Sequence, residues 1–172
     1  APEAAVITNI GLEHTEYLGS IITEIAAAKV GIIKPGCSAV CYDGDSAATA
    51  VLEKTCHSCG VSLHRADFAQ LEAISETLDG QRFRYRGAEH TISLLGAHQL
   101  KNAAVVLETV DALRERDWDI PAQSVERGLR GAKWPARLEV LGRSPLFILD
   151  GGHNPQCAAA LAESLGRLLP GD

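Results

Sequence analysis

The chain has 172 residues, 46% of them hydrophobic, which is enough for one compact domain or for one domain and the start of another. Sixteen Lys and Arg stand against 22 Asp and Glu, a formal charge of -6 with neither sign gathered into a block, so no nucleic-acid partner is expected. No apolar run reaches the roughly 18 residues that a membrane span requires, and the opening APEAAVITNIG has neither the basic start nor the cleavage site of a signal peptide, so the expectation is a cytoplasmic protein with no membrane partner.

Residues 4–10 are apolar and β-branched and stop at Gly11, the pattern of a strand buried on both faces. After a loop, Ile21, Ile22, Ile25, Ala26 and Ala28 recur at helical spacing over residues 20–30, with Gly31 and Pro35-Gly36 as the stop. Residues 38–42 read as a second strand, 46–59 as a helix ended by Gly60, and 61–65 as a third strand. Strands alternating with helices predict an α/β fold with a mostly parallel sheet flanked by helices. Residues 82–86 and 91–95 alternate more like a hairpin at a sheet edge, turning through residues 86–89. A long helix follows over 97–116 and a shorter one over 122–130, just after Pro121. Beyond Gly131 the Trp134-Pro135 pair breaks any helix, residues 138–141 and 146–149 read as strands, and 155–169 as a helix. A domain boundary is placed between 132 and 133, because the remaining strand pair and single helix are too little to bury a core of their own.

Five cysteines are an odd number for a disulfide framework, and free thiols are expected. Cys56-x-x-Cys59 with His64 lacks the second, comparably spaced pair of a zinc site, and Cys37, Cys41 and Cys157 lie on or beside apolar runs, where packing is the better reading. The chain holds no Met and opens directly into a strand, which suggests a piece cut from a longer protein.

Three strings carry possible chemistry. The first is Thr8-Asn9-Ile10-Gly11-Leu12-Glu13-His14-Thr15, with Leu18-Gly19 behind it and Ala27-Ala28-Lys29-Val30-Gly31-Ile32 further on. Polar groups directly after a buried strand lie at the carboxyl edge of a parallel sheet, where open α/β folds place their ligands; the alternative is a surface loop before a helix. The second is Gly96-Ala97-His98-Gln99-Leu100-Lys101-Asn102-Ala103, where amides in the first turn of a helix suit an anion or nucleotide, or simply start the helix. The third joins Trp134-Pro135-Ala136-Arg137-Leu138-Glu139 to Asp150-Gly151-Gly152-His153-Asn154-Pro155, in which an Arg fork suits phosphate and an Asp orients a His or a cation, or caps the next helix.

In this order the three strings resemble the signatures of the folylpolyglutamate synthase and dihydrofolate synthase family of the Mur ligase superfamily. That resemblance implies part of a Mur-ligase-type central ATP-binding domain over residues 1–132, and the start of a second, Rossmann-like α/β ligase domain over 133–172. It implies that His14 binds magnesium and that Lys29, fifteen positions on, is carbamylated into an anionic oxygen ligand near the metal. Both would then be catalytic. It further implies that Asn102 and Gln99 contact the nucleotide, that Arg137 reaches the ATP phosphates, and that Asp150 and His153 face the nucleotide. Glu13 stands where the family has Asp. Ala136 replaces a Gly, which excludes a Gly-only backbone conformation there, and Gly152 replaces an Ala.

The implied activity is ATP-dependent addition of glutamate to folate, and possibly to dihydropteroate, through an acyl phosphate, with Mg2+ as cofactor and ATP, L-glutamate and the folate or dihydropteroate as small-molecule partners of a monomeric parent. The family's Gly-rich, Lys-containing phosphate loop has no counterpart, since no Gly-Lys dipeptide occurs, so the 172 residues alone are expected to be inactive. A non-catalytic assembly module and a Mur-type ligase acting on a cell-wall precursor are the alternatives, the latter disfavoured by the Trp-Pro-x-Arg-Leu-Glu string.

Overall fold

The computed structural model describes residues 2–10, 21–42 and 44–169. It divides into two compact units, Ala1–Phe68 with Ala104–Ile120, and Ala69–Ala103 with Pro121–Asp172.

The first unit is built on a parallel sheet in the order β1 (Ala4–Ile7), β2 (Ser38–Tyr42), β3 (Leu63–Ala66). Ala4 pairs with Ser38 and Ile7 with Cys41, while Ala39 pairs with Leu63 and Tyr42 with Ala66. The central strand β2 is buried on both faces, as parallel strands between covering helices are. On β1 burial alternates: Ala5 and Ile7 are buried and Val6 is 38% exposed. The expected two-sided burial of this strand is therefore corrected to one face, since among the described residues nothing covers Val6 on the other.

Helices α1 (Ile22–Lys29) and α2 (Ser46–Cys59) pack against each other. Asp45 caps α2 by accepting from the Ala47 and Ala48 amides at 2.9 and 3.0 Å, and Gly60 closes it in the left-handed conformation at φ 63°. Val30, Ile33, Leu52 and Cys56 from these segments fill the core against Ala5, Ile7, Ala39 and Cys41.

The second unit contains an antiparallel sheet of β4 (Leu71–Thr77), β5 (Gly80–Tyr85) and β6 (Ala88–Ile92), and a separate hairpin of β7 (Glu139–Arg143) and β8 (Leu146–Leu149). The expected two-strand edge hairpin is thus β5 and β6 of a three-stranded sheet of its own, with β5 in the centre. Sequence periodicity missed β4 because a bulge between Ala73 and Ser75 breaks its alternation. It also placed β6 three residues late, since Arg86 and Gly87, at φ 48° and 81°, turn the chain in two residues rather than four.

Helix α3 (Ala97–Arg114) contributes residues to both units, and α4 (Ala122–Gly131) packs on β6. Glu126 of α4 meets His90 of β6 at 2.6 Å, and the Ser93 amide donates to Leu129 O. Helix α5 (Pro155–Leu168) is capped by Asn154, whose side chain accepts from the Cys157 amide at 2.8 Å. The fold is α/β, with a parallel sheet flanked by helices as the sequence predicts.

Candidate functional site

In the first unit the carboxyl ends of β1 and β2 open onto a small cleft lined by Thr8, Asn9, Ile10, Tyr42, Gly44 and Asp45. This is the edge at which a parallel sheet turns its loops outward. Lys29, in the last turn of α1, is half-buried and aims its ammonium at that edge, with Nζ donating to Asn9 O at 3.3 Å. The two ends of the first string are therefore brought together by a single contact. His14 and Glu13 lie outside the described residues, so only Lys29 of the pair has a described position. Thr8 and Asn9 supply hydroxyl, amide and carbonyl oxygens, the hard donors that magnesium prefers, and a carbamylated Lys29 would add two more. Among the described residues no three His, Cys, Asp or Glu side chains converge on a metal position, which leaves the Cys56, Cys59 and His64 group without a zinc geometry. Burial pushes the Cys56 thiol up, with Cys37 and Cys59 adding to the effect, as befits a packing residue.

The other five predicted residues belong to the second unit. Gly96 sits at φ +96° between Leu95 and the start of α3, and a Cβ there would lie 2.8 Å from His98 Cε1 and 3.1 Å from Ser164 Oγ. Only glycine fits this position. The chain turns here into the helix, with the Gln99 amide donating to Gly96 O at 2.9 Å. Gln99 is buried, and its Oε1 accepts from Asn102 Nδ2 at 2.9 Å. Gln99 thus restrains the Asn102 side chain.

Arg137 lies at an exposed corner whose flanking residues, Ala136 and Leu138, both adopt positive φ, 56° and 47°. The expectation that Ala136 rules out a glycine-like backbone is corrected: the corner is left-handed despite its Cβ. Four hydrogen bonds hold it there. Glu139 Oε2 accepts from the Ala136 amide at 2.8 Å, Asp150 Oδ2 from the Leu138 amide at 2.9 Å, and Ala136 O from the Gly151 amide at 2.7 Å. Asp150 Oδ1 also accepts from the Gly152 amide at 2.7 Å. Backbone strain of this kind persists only where the surroundings over-determine it, and here it fixes the backbone on either side of Arg137. His153 is exposed, with Nδ1 3.2 Å from Gly151 O.

His98, which sequence reasoning passed over, links the two segments electrostatically. Its imidazole is held below its ordinary value first by desolvation; Asp150 acts to raise it, Arg137 and Arg167 to lower it further, and Glu76 to raise it. Its place inside the Gly96-to-Ala103 string was the signal that could have found it.

Residues 1–110 match the Mur ligase middle domain. The chain is 34% identical to the folylpolyglutamate synthase of Lacticaseibacillus casei, over 98% of this chain and 41% of that protein. It is also 34% identical to the dihydrofolate synthase/folylpolyglutamate synthase of Bacillus subtilis strain 168, over 95% and 40%. A solved folylpolyglutamate synthase complex with AMPPCP and folate superposes with a TM-score of 0.83 at 32% identity, covering 95% of this chain and 42% of that one. The chain spans about two fifths of the length of these two curated relatives.

Proposed function

Because the chain belongs to the Mur ligase family through that family's middle domain, we propose that it forms the central part of an ATP-dependent ligase that adds glutamate to folate. The observation that carries the reading is the match of residues 1–110 to the Mur ligase middle domain, within which Gly96 to Asn102 forms a nucleotide-suited helix start. In this reading residues 1–132 belong to the central ATP-binding domain and 133–172 begin the second domain. The parent protein is cytoplasmic and monomeric.

The reaction has two steps. The folate carboxylate attacks the γ-phosphorus of ATP, forming an acyl phosphate and releasing ADP; the amine of L-glutamate then attacks the acyl carbon, forming the amide and expelling phosphate. His14 and a carbamylated Lys29 would hold the magnesium, which when bound would supply positive charge to the phosphates. Arg137 presents its planar fork to the phosphate oxygens from a corner whose backbone is already fixed, so the cost of ordering on binding falls on its side chain alone. Asn102, oriented by Gln99, recognises the base. Asp150 holds the corner through Leu138 and positions His153 beside the nucleotide.

The test is kinetic. In the ligase that carries these residues, Arg137→Ala lowers kcat/KM for ATP roughly 10- to 100-fold while the melting temperature stays within about 2 °C, because the side chain is exposed and its loss leaves the staples intact. Unchanged kcat/KM, or elongation of folate without ATP, overturns the proposal. ATP- and glutamate-dependent elongation by the 172 residues alone would overturn the expectation that they are inactive by themselves.

A further inference from the structure

We infer that Glu76, a residue of β4 outside all three strings, is a positioning residue for the turn that carries Asn102; the inference rests on the nucleotide reading above. Glu76 is largely buried, its side chain 16% exposed, and both of its oxygens are engaged. Oε1 accepts from the Gly96 amide at 3.0 Å, and Oε2 accepts from Arg167 Nε at 3.0 Å. On the other side of Gly96, the buried Gln81 donates through Nε2 to Gly96 O at 3.1 Å and to Leu94 O at 2.7 Å. The two peptide planes flanking Gly96 are thus each held by a side chain of the antiparallel sheet.

The glycine needs that restraint. It has the widest conformational freedom of any residue, and its φ of +96° is one choice among many unless something fixes it. Gly96 O accepts from the Gln99 amide, and Gln99 Oε1 accepts from Asn102 Nδ2, so the setting of Gly96 is passed to the Asn102 amide through two further hydrogen bonds. Behind Glu76, Arg167 is itself steadied by Glu163 at 2.5 Å, one helical turn away on α5. The result is an unbroken polar path from α5 through β4 to Asn102. Helix α5 starts directly after Asp150-Gly151-Gly152-His153, so the same path ties the third string to the second.

A group acting this way changes the placement of Asn102 without touching a ligand. In the 172-residue chain without nucleotide, Glu76→Ala moves the side-chain amide NMR resonances of Asn102 and leaves those of Asn9 in place. In the parent ligase, Glu76→Ala raises KM for ATP about tenfold with kcat nearly unchanged, and the rise disappears in an Asn102→Ala background, the non-additivity expected of one coupled unit. Unmoved Asn102 resonances, or an equal rise in KM with and without Asn102, overturn the inference and leave the nucleotide reading standing. Moved resonances together with an Asn102→Ala variant of normal KM overturn the nucleotide role of Asn102 while the positioning stands. Should Glu76→Ala fail to fold, Glu76→Gln serves: without its ion pair to Arg167 the amide loosens from Gly96, the Asn102 resonances move less far in the same sense, and no movement overturns the inference.

Discussion

Two single-residue departures from the family pattern, Ala136 for Gly and Gly152 for Ala, share one corner, since Asp150 accepts from the Gly152 amide and from the amide of Leu138, two residues beyond Ala136. Ala136 occupies a left-handed conformation, at φ 56°, that costs an L-residue about 1 kcal/mol. Gly152 has the opposite problem. A Cβ there would lie 2.8 Å from both Asp150 Oδ1 and Cys157 Cβ, and Asp150 is not free to retreat while it holds the Gly152 and Leu138 amides. Restoring the family residue at each position therefore has opposite signs. Ala136→Gly stabilises the chain by up to about 1 kcal/mol, and Gly152→Ala destabilises it by about 1–3 kcal/mol. Urea melts of the two variants check this, and a Gly152→Ala chain as stable as the parent sequence sinks the account of the corner. Sequence alone could name both departures but not their signs, because φ at 136 and the distance to Cys157 depend on tertiary contacts.

Among the elements, those with a clean period and a chemical stop were legible. Helix α2 runs over the predicted residues because Asp45 and Gly60 close it at both ends, and β2 is a continuous apolar run bounded by Gly36 and Gly44. Strand β4 was not legible: its bulge puts two neighbouring residues out of phase, and its face is largely polar. The candidate site follows the same divide between what has a local pattern and what has none. The strings marked Lys29, Gln99, Asn102, Arg137, Asp150 and His153, but Glu76, on the unseen strand, has no local pattern to announce it. Another tie between elements is equally silent in the sequence: His90 on β6 and Glu126 on α4, thirty-six residues apart and partly buried, meet at 2.6 Å. Removing one partner leaves the other short of its hydrogen bond, so Glu126→Ala destabilises the chain by about 1–3 kcal/mol. The double variant with His90→Ala measures the coupling, and additive losses show that the pair contributes nothing beyond separate packing.

At the scale of the whole molecule, the chain combines a parallel unit carrying Lys29 at its carboxyl edge with an antiparallel unit carrying the turn and corner, and α3 supplies residues to both. The proposed boundary at 132 and 133 bears on which segments can move. Residues 132–134 belong to no helix or strand, Lys133 is exposed, and Trp134 is 65% exposed, whereas Arg86, in a two-residue hairpin turn, is held by the strands on either side. Proteases cut where about ten residues of backbone can unfold locally at little cost, which favours extended exposed coil over a tight turn. Limited trypsin digestion is therefore expected to cleave first after Lys133, giving a fragment that begins at Trp134. A first cut within α3 or in the antiparallel sheet shows instead that the weakest junction lies elsewhere, and the boundary then has to move with it.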